Sequence, residues 1–316
     1  MSIAKIARLF LPVAAATLWF IVPLPSRAAG MKAEDVVAKH LDSLGTAQVR
    51  AAVKARVAQG TAQYKILVGG AGELDGKAVM VSQERKLQFM MKFPNNLYRG
   101  EQFIFDGDKV QVTTSTAQQT RSSFGQFVYV QDAILREGLL GGELSTAWPL
   151  LSLDSHKPKL SYEGLKRIDG KELHDIRYRP KKSTDAEIHL YFDPETFHHV
   201  LTVYTISIRT QLGHEDAQLS SASPIGGDLG PAPSPTGGVV TETSETATAR
   251  QQETRYRLEE KFSDFRTVDG LTLPNHYTIH FSQELGNGRT TVSDWDITEN
   301  QIDNPPSVDA RNFQVK

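Results

Sequence analysis

Apolar and polar side chains alternate along most of this chain. Between Arg85 and Pro94, Leu87, Phe89, Met91 and Phe93 fall on one face and Lys86, Gln88 and Lys92 on the other. A period of two is the signature of a half-buried β-strand. Phe103 and Phe105, then Ile188, Leu190 and Phe192, repeat it. Asp75-Gly76, Asp106-Gly107, Asp169-Gly170 and Asp269-Gly270 separate such segments. Each predicts a hairpin turn, because Gly accepts φ > 0 without steric cost and Asp tolerates it. The pattern therefore predicts a mainly β fold of ten or more strands in one large, curved antiparallel sheet.

The period changes in two places. Val36, Val37, His40, Leu41 and Leu44 share one face of a predicted helix over Ala33 to Leu44, with Gly45 as C-cap and a short second helix around Ala47 to Lys54. Phe124 to Leu140 also fits helical spacing; Gly141-Gly142 ends it, and Trp148, Pro149, Leu150, Leu151 and Leu153 follow. So few helices cannot fill the concave side of so large a sheet, which points to an unclosed, half-open β-barrel with a few covering helices. The candidate apolar lining and lid are Phe89, Phe93, Phe103, Phe105, Phe127, Leu135, Leu139, Leu140, Trp148, Leu150, Leu151 and Phe192. The same residues would equally serve as an ordinary core packed against 124–153, and periodicity alone does not separate the two readings.

Leu212 to Gln252 breaks the rhythm. Its Gly, Ser, Thr, Pro and Ala content buries too little apolar surface to offset the entropy of ordering it. It is expected to be a disordered loop at the tip of a hairpin, flanked by strands over Val200 to Thr210 and Thr254 to Arg266.

At the N-terminus, Lys5 and Arg8 precede an apolar stretch from Leu9 to Val22, and Ser26-Arg27-Ala28 offers small residues for cleavage. Fourteen residues give about 21 Å of helix, short of the ~30 Å hydrocarbon core. Residues 1–28 are thus expected to be a signal peptide, and 29–316 a single domain in an extracytoplasmic space, most simply a bacterial periplasm. With no Cys in the chain, neither disulfides nor N-terminal lipidation on cysteine is available. Loss of Lys5, Arg8 and Arg27 leaves 32 of the 35 basic side chains against 37 acidic ones, a net charge of −5. That balance gives no footprint for nucleic acid.

The chain has no nucleophile elbow, zincin or nucleotide-binding loop. His198 and His199 point to opposite faces of a regular strand. His276 and His280 lie roughly 13 Å apart along one. His156 and His174-Asp175 are expected at the surface, and Asp264, Asp294 and Asp296 in turns or on solvent faces. No metal, cofactor or catalytic residue is expected, and the chain reads as a non-enzyme.

Two segments carry a family resemblance. Leu190-Tyr-Phe-Asp-Pro-Glu-Thr-Phe, and Glu260-Lys-Phe-Ser-Asp-Phe followed by Val268-Asp-Gly-Leu-Thr-Leu-Pro, resemble strand-and-turn motifs of periplasmic lipoprotein-sorting proteins of the LolA type. The likeness extends loosely over 33–298. It implies an unclosed antiparallel barrel whose helices lie as a lid over a cavity that accepts acyl chains. It also implies an Arg that holds the lid shut, but Arg85, Arg99 and Arg121 lie near strands in no identifying motif, and no residue is carried over to that role. The chain is longer than the usual carrier, and 212–252 is foreign to the family. Sibling branches include lipid-binding envelope proteins and a periplasmic stress-signalling sensor.

The function expected from this is binding without chemistry: a lipid or lipoprotein carrier with an apolar cavity under a helical lid that swings on Gly138, Gly141 and Gly142. The alternative is an envelope protein-interaction or sensor module with no lipid cargo. In the carrier reading, Leu139→Glu with Leu150→Glu abolishes capture and leaves the β-rich circular dichroism intact.

Overall fold

Among the described residues, twelve of fourteen strands form one antiparallel sheet whose two edges are not hydrogen-bonded to each other. It is seen in a computed structural model that describes residues 30–114, 120–182, 184–209 and 253–315. The N-terminal and 212–252 expectations lie outside these residues.

Helices α1 (Ala33–Leu44) and α2 (Ala47–Ala52) lead into β1 (Ala55–Val68), β2 (Gly72–Gln83), β3 (Lys86–Lys92), β4 (Glu101–Phe105) and β5 (Val110–Thr114). A helical insertion follows: α3 (Ser123–Val130), α4 (Ala133–Arg136), 3-10 turns at Gly142–Leu144 and Pro149–Ser152, and α5 (Leu153–His156). Strands β6 (Lys159–Ile168), β7 (Lys171–Arg179), β8 (Glu187–Phe192), β9 (His199–Arg209) and β10 (Glu253–Ser263) come next. The short pair β11 (Arg266–Val268) and β12 (Leu271–Leu273), then β13 (His276–Glu284) and β14 (Thr290–Asp303), complete the strands.

Strand order is β5-β4-β3-β2-β1-β14-β13-β10-β9-β8-β7-β6. The chain thus builds one half as a meander outward from β1, crosses to the opposite edge, and returns inward to pair β14 with β1. The crossing is the helical insertion, which joins edge strand β5 to edge strand β6. β9 and β10, which flank 210–252, are antiparallel neighbours, with Arg209 opposite Glu253.

Two of the Asp-Gly pairs make two-residue turns with both residues at positive φ: Asp169-Gly170 between β6 and β7, and Asp269-Gly270 between β11 and β12. Asp106-Gly107 lies in the longer β4–β5 connection. Asp75-Gly76 does not turn. It sits inside β2 opposite Gln63 and Ala62, where a Cβ on Gly76 would stand 2.2 Å from the Lys92 carbonyl oxygen. Close backbone approach explains that glycine, and the β1–β2 turn falls at 69–71 instead.

The core lies on the concave face. Leu87, Phe89, Met91 and Phe93 point into it as their alternation predicts, and the insertion meets them there. Phe124 packs against Phe103, Phe281 and Trp295 at ring distances of 5.2, 5.9 and 5.0 Å, and Phe127 against Tyr256 and Phe281 at 5.7 and 5.3 Å. The expected single helix over Phe124 to Leu140 is two short helices: α3 ends at Val130, and α4 restarts at Ala133.

Candidate functional site

Eleven of the twelve residues named as cavity lining or lid are buried within one cluster, from 0 to 4% exposed. The twelfth, Leu151, is 36% exposed. The structure brings the eleven together as packed core, with insertion side chains filling the concave face. Leu139 and Leu150 are among the buried ones. Two glutamates there would place unpaired carboxylates in the core, so the expectation that this double variant keeps its fold is corrected.

Buried polar contacts hold the insertion down. Arg56, inward-facing on β1 and 3% exposed, donates from its guanidinium to the Glu143 backbone carbonyl and to Asn304 Oδ1. Burial lowers its pKa to about 10, against the opposing effect of Glu143, so it stays charged at neutral pH. Glu143 Oε2 lies 2.8 Å from His199 Nδ1, and His199 Nε2 lies 2.8 Å from Thr202 Oγ1. Burial pushes the Glu143 carboxyl up, but His199 and His40 outweigh it and hold the group below the usual carboxylate value.

Glu101, on β4, accepts from the Ser122 backbone N–H (2.8 Å) and hydroxyl (2.6 Å) at the cap of α3. Glu260, on β10, accepts from the Gly141 N–H (2.7 Å) and from the hydroxyls of Tyr204 (2.6 Å) and Tyr277. Burial raises the pKa of both carboxyls despite these donors. Each contact gives the insertion backbone a partner it would otherwise lack in the interior.

Sequence reading missed this set, although its signal was present. Arg56 keeps the phase of Ala58, Ala62 and Tyr64; Glu101 that of Phe103 and Phe105; Glu260 that of Leu258 and Phe262. A charged residue in the inward phase of an alternating strand marks a buried partner. His156 and His174-Asp175, expected at the surface, are also buried. His156 faces Glu137, Tyr162 Oη meets His174 Nδ1 at 2.9 Å, and Asp175 meets His189 at 2.7 Å. Asp294 and Asp296 lie on a strand, paired with His280 and His276 at 2.6 and 2.7 Å. His198 and His199 do face opposite ways: His198 stacks on Phe265, and His199 on Trp148 in the core. Among the described residues no group of His, Asp and Glu has metal-binding geometry.

Open space lies beside the insertion. A cleft of about 420 Å³ runs between α1, α2, β12 and the 3-10 turn at Pro149–Ser152. Leu41, Leu44, Val53, Leu151, Leu271 and Leu273 wall it; Arg50, Lys54, Arg56 and Arg85 border it with Glu84 and Glu143. Its size falls within the 300–1,000 Å³ usual for small-molecule sites. Arg50 is tied to the Leu41 and Gly45 carbonyls.

No protein-family model matches the chain, and no curated protein does. Solved structures resemble it at low identity. A DUF1329 family protein from Desulfovibrio piger is 12% identical over 89% of this chain and 97% of its own, with a TM-score of 0.42. LolA superfamily protein NE2245 from Nitrosomonas europaea is 9% identical over 90% and 98%, also at 0.42. The MucA/MucB complex of Pseudomonas aeruginosa is matched at 11% identity over 83% and 94%, at 0.21.

Proposed function

We propose that this protein binds the acyl chain of a lipid or lipoprotein in the bacterial periplasm, without chemistry, and that the chain enters through the cleft beside the insertion. The observation that carries the proposal is that cleft: leucine-walled, about 420 Å³, and bounded on one side by the insertion itself. Each buried methylene contributes on the order of 0.8 kcal/mol, so ten contribute roughly 8 kcal/mol before the cost of ordering the chain. The twelve lining and lid residues become reachable when the insertion lifts. The contacts at Arg56, Glu101, Glu260 and His199 resist that movement. Gly138, Gly141 and Gly142, all at positive φ, are the proposed hinge.

The filled interior favours a second reading, in which the sheet is a platform for an envelope protein partner. Native mass spectrometry of the mature chain mixed with dodecyl lipids separates the two. A one-to-one adduct that Leu151→Glu removes, with circular dichroism unchanged, supports lipid capture. Leu151 is partly exposed, so that substitution leaves the core intact. No adduct with any chain-bearing lipid sinks the carrier reading in favour of the platform.

A further inference from the structure

The charges around the cleft are not evenly placed. Lys54 lies at the entry to β1, and its carbonyl accepts the Glu84 N–H at 3.0 Å. That bond sets Lys54 opposite the β2–β3 turn that carries Arg85. The Lys54 side chain is exposed and makes no ion pair among the described residues; Arg85 is exposed, meets the Arg136 carbonyl at a long 3.4 Å, and feels the Glu137 carboxylate without an ion-pair contact. Cations thus outnumber carboxylates around this leucine-walled cleft, Arg50, Lys54, Arg56 and Arg85 against Glu84 and Glu143, in a protein whose overall charge is negative.

Resting on the acyl-chain reading, we propose that the ligand of this cleft is a single-chain anionic amphiphile, its chain on Leu41, Leu44 and Leu271 and its anionic head between Lys54 and Arg85. Charge complementarity selects the occupant. A neutral chain gains nothing from the two cations, and a cationic one would be repelled by them. Arg56 takes no part in the recognition, because it is buried and turned to Asn304 through Nε and to the Glu143 carbonyl through Nη1.

The test compares dodecanoate with methyl dodecanoate by displacement of a fluorescent fatty acid at low salt. Dodecanoate is expected to bind at least ten-fold more tightly. Lys54→Gln with Arg85→Gln brings the two affinities together without weakening the ester. Ala51→Trp, an exposed position on α2 at the cleft wall, blocks both ligands. Equal binding of acid and ester by the unmodified protein overturns the charge proposal and leaves acyl-chain capture standing. Failure of both to bind, or full binding by the Ala51→Trp variant, overturns the site altogether. Circular dichroism and urea midpoints of both variants confirm that the fold persists.

Discussion

The Arg56 guanidinium donates to the backbone carbonyl of Glu143, 87 residues away, and so ties β1 to the segment that crosses the sheet's concave face. Arg56 is buried and charged, so its loss costs more than one hydrogen bond: the Glu143 carbonyl and Asn304 lose their donor. Arg56→Met is expected to cost about 3 kcal/mol in urea unfolding. Amide exchange over Leu139 to Leu144 should speed up well before the β1 and β14 amides respond. Uniform acceleration across the protein would mean that Arg56 supports the whole fold and not the insertion in particular.

At Gly125 two effects oppose each other. Ala is favoured over Gly inside a helix by about 1 kcal/mol. A Cβ at Gly125 would, however, stand 1.9 Å from Glu101 Oε1, the oxygen that accepts from Ser122. Overpacking at a buried, hydrogen-bonded carboxylate outweighs propensity, so Gly125→Ala is predicted to lower stability by about 2 kcal/mol. A rise in the unfolding midpoint would show that Glu101 yields freely.

Two buried groups pull stability in opposite directions with pH. Burial raises the Glu299 pKa to about 7. The folded state therefore holds a proton that the unfolded chain releases above its ordinary value near 4.5. The contribution is full below pH 4.5 and is lost as pH rises through 7, roughly 3 kcal/mol in all. Burial lowers the His40 pKa to about 4. Its contribution is full above pH 6.5 and is lost as pH falls through 4, by a similar amount.

Between pH 4.5 and 6.5 the two slopes nearly cancel. Glu299→Gln should unmask a loss of stability on acidification over that window, and His40→Met a loss on alkalinisation. Urea titrations at half-unit pH intervals read both. Parallel profiles for the two variants would show that neither group titrates as its burial dictates.

His40 also shows how a core histidine is kept neutral. Its Nδ1 meets the Phe197 carbonyl at 3.1 Å, and its Nε2 faces the Trp148 indole N–H at 3.4 Å. One ring nitrogen donates and the other accepts, which only the neutral ring can do. Trp148→Phe removes the donor to Nε2 and is expected to raise the His40 pKa, measured by the proton shift of the ring on NMR titration. An unmoved titration would place the control in burial alone.

Local pattern was enough for the strands, for α1 and for the large open sheet. Alternation at Leu87, Phe89, Met91 and Phe93 reports a half-buried strand through the geometry of the chain itself, wherever that strand pairs. Turn chemistry at Asp169-Gly170 and Asp269-Gly270 is equally local. At Asp75-Gly76 the same dipeptide lies inside a strand, because the need for glycine comes from Lys92 and Phe93 on the neighbouring strand. Periodicity also identified the apolar residues of the concave face, but not whether they line a space or fill it. That depends on whether the insertion lies down, which is set by pairs such as Arg56 with Glu143, Glu260 with Gly141, and Glu101 with Ser122. Each residue of these pairs belongs to a different element. Alternation shows that Arg56, Glu101 and Glu260 face inward, but which partner each meets follows from strand order, which is settled over the whole chain.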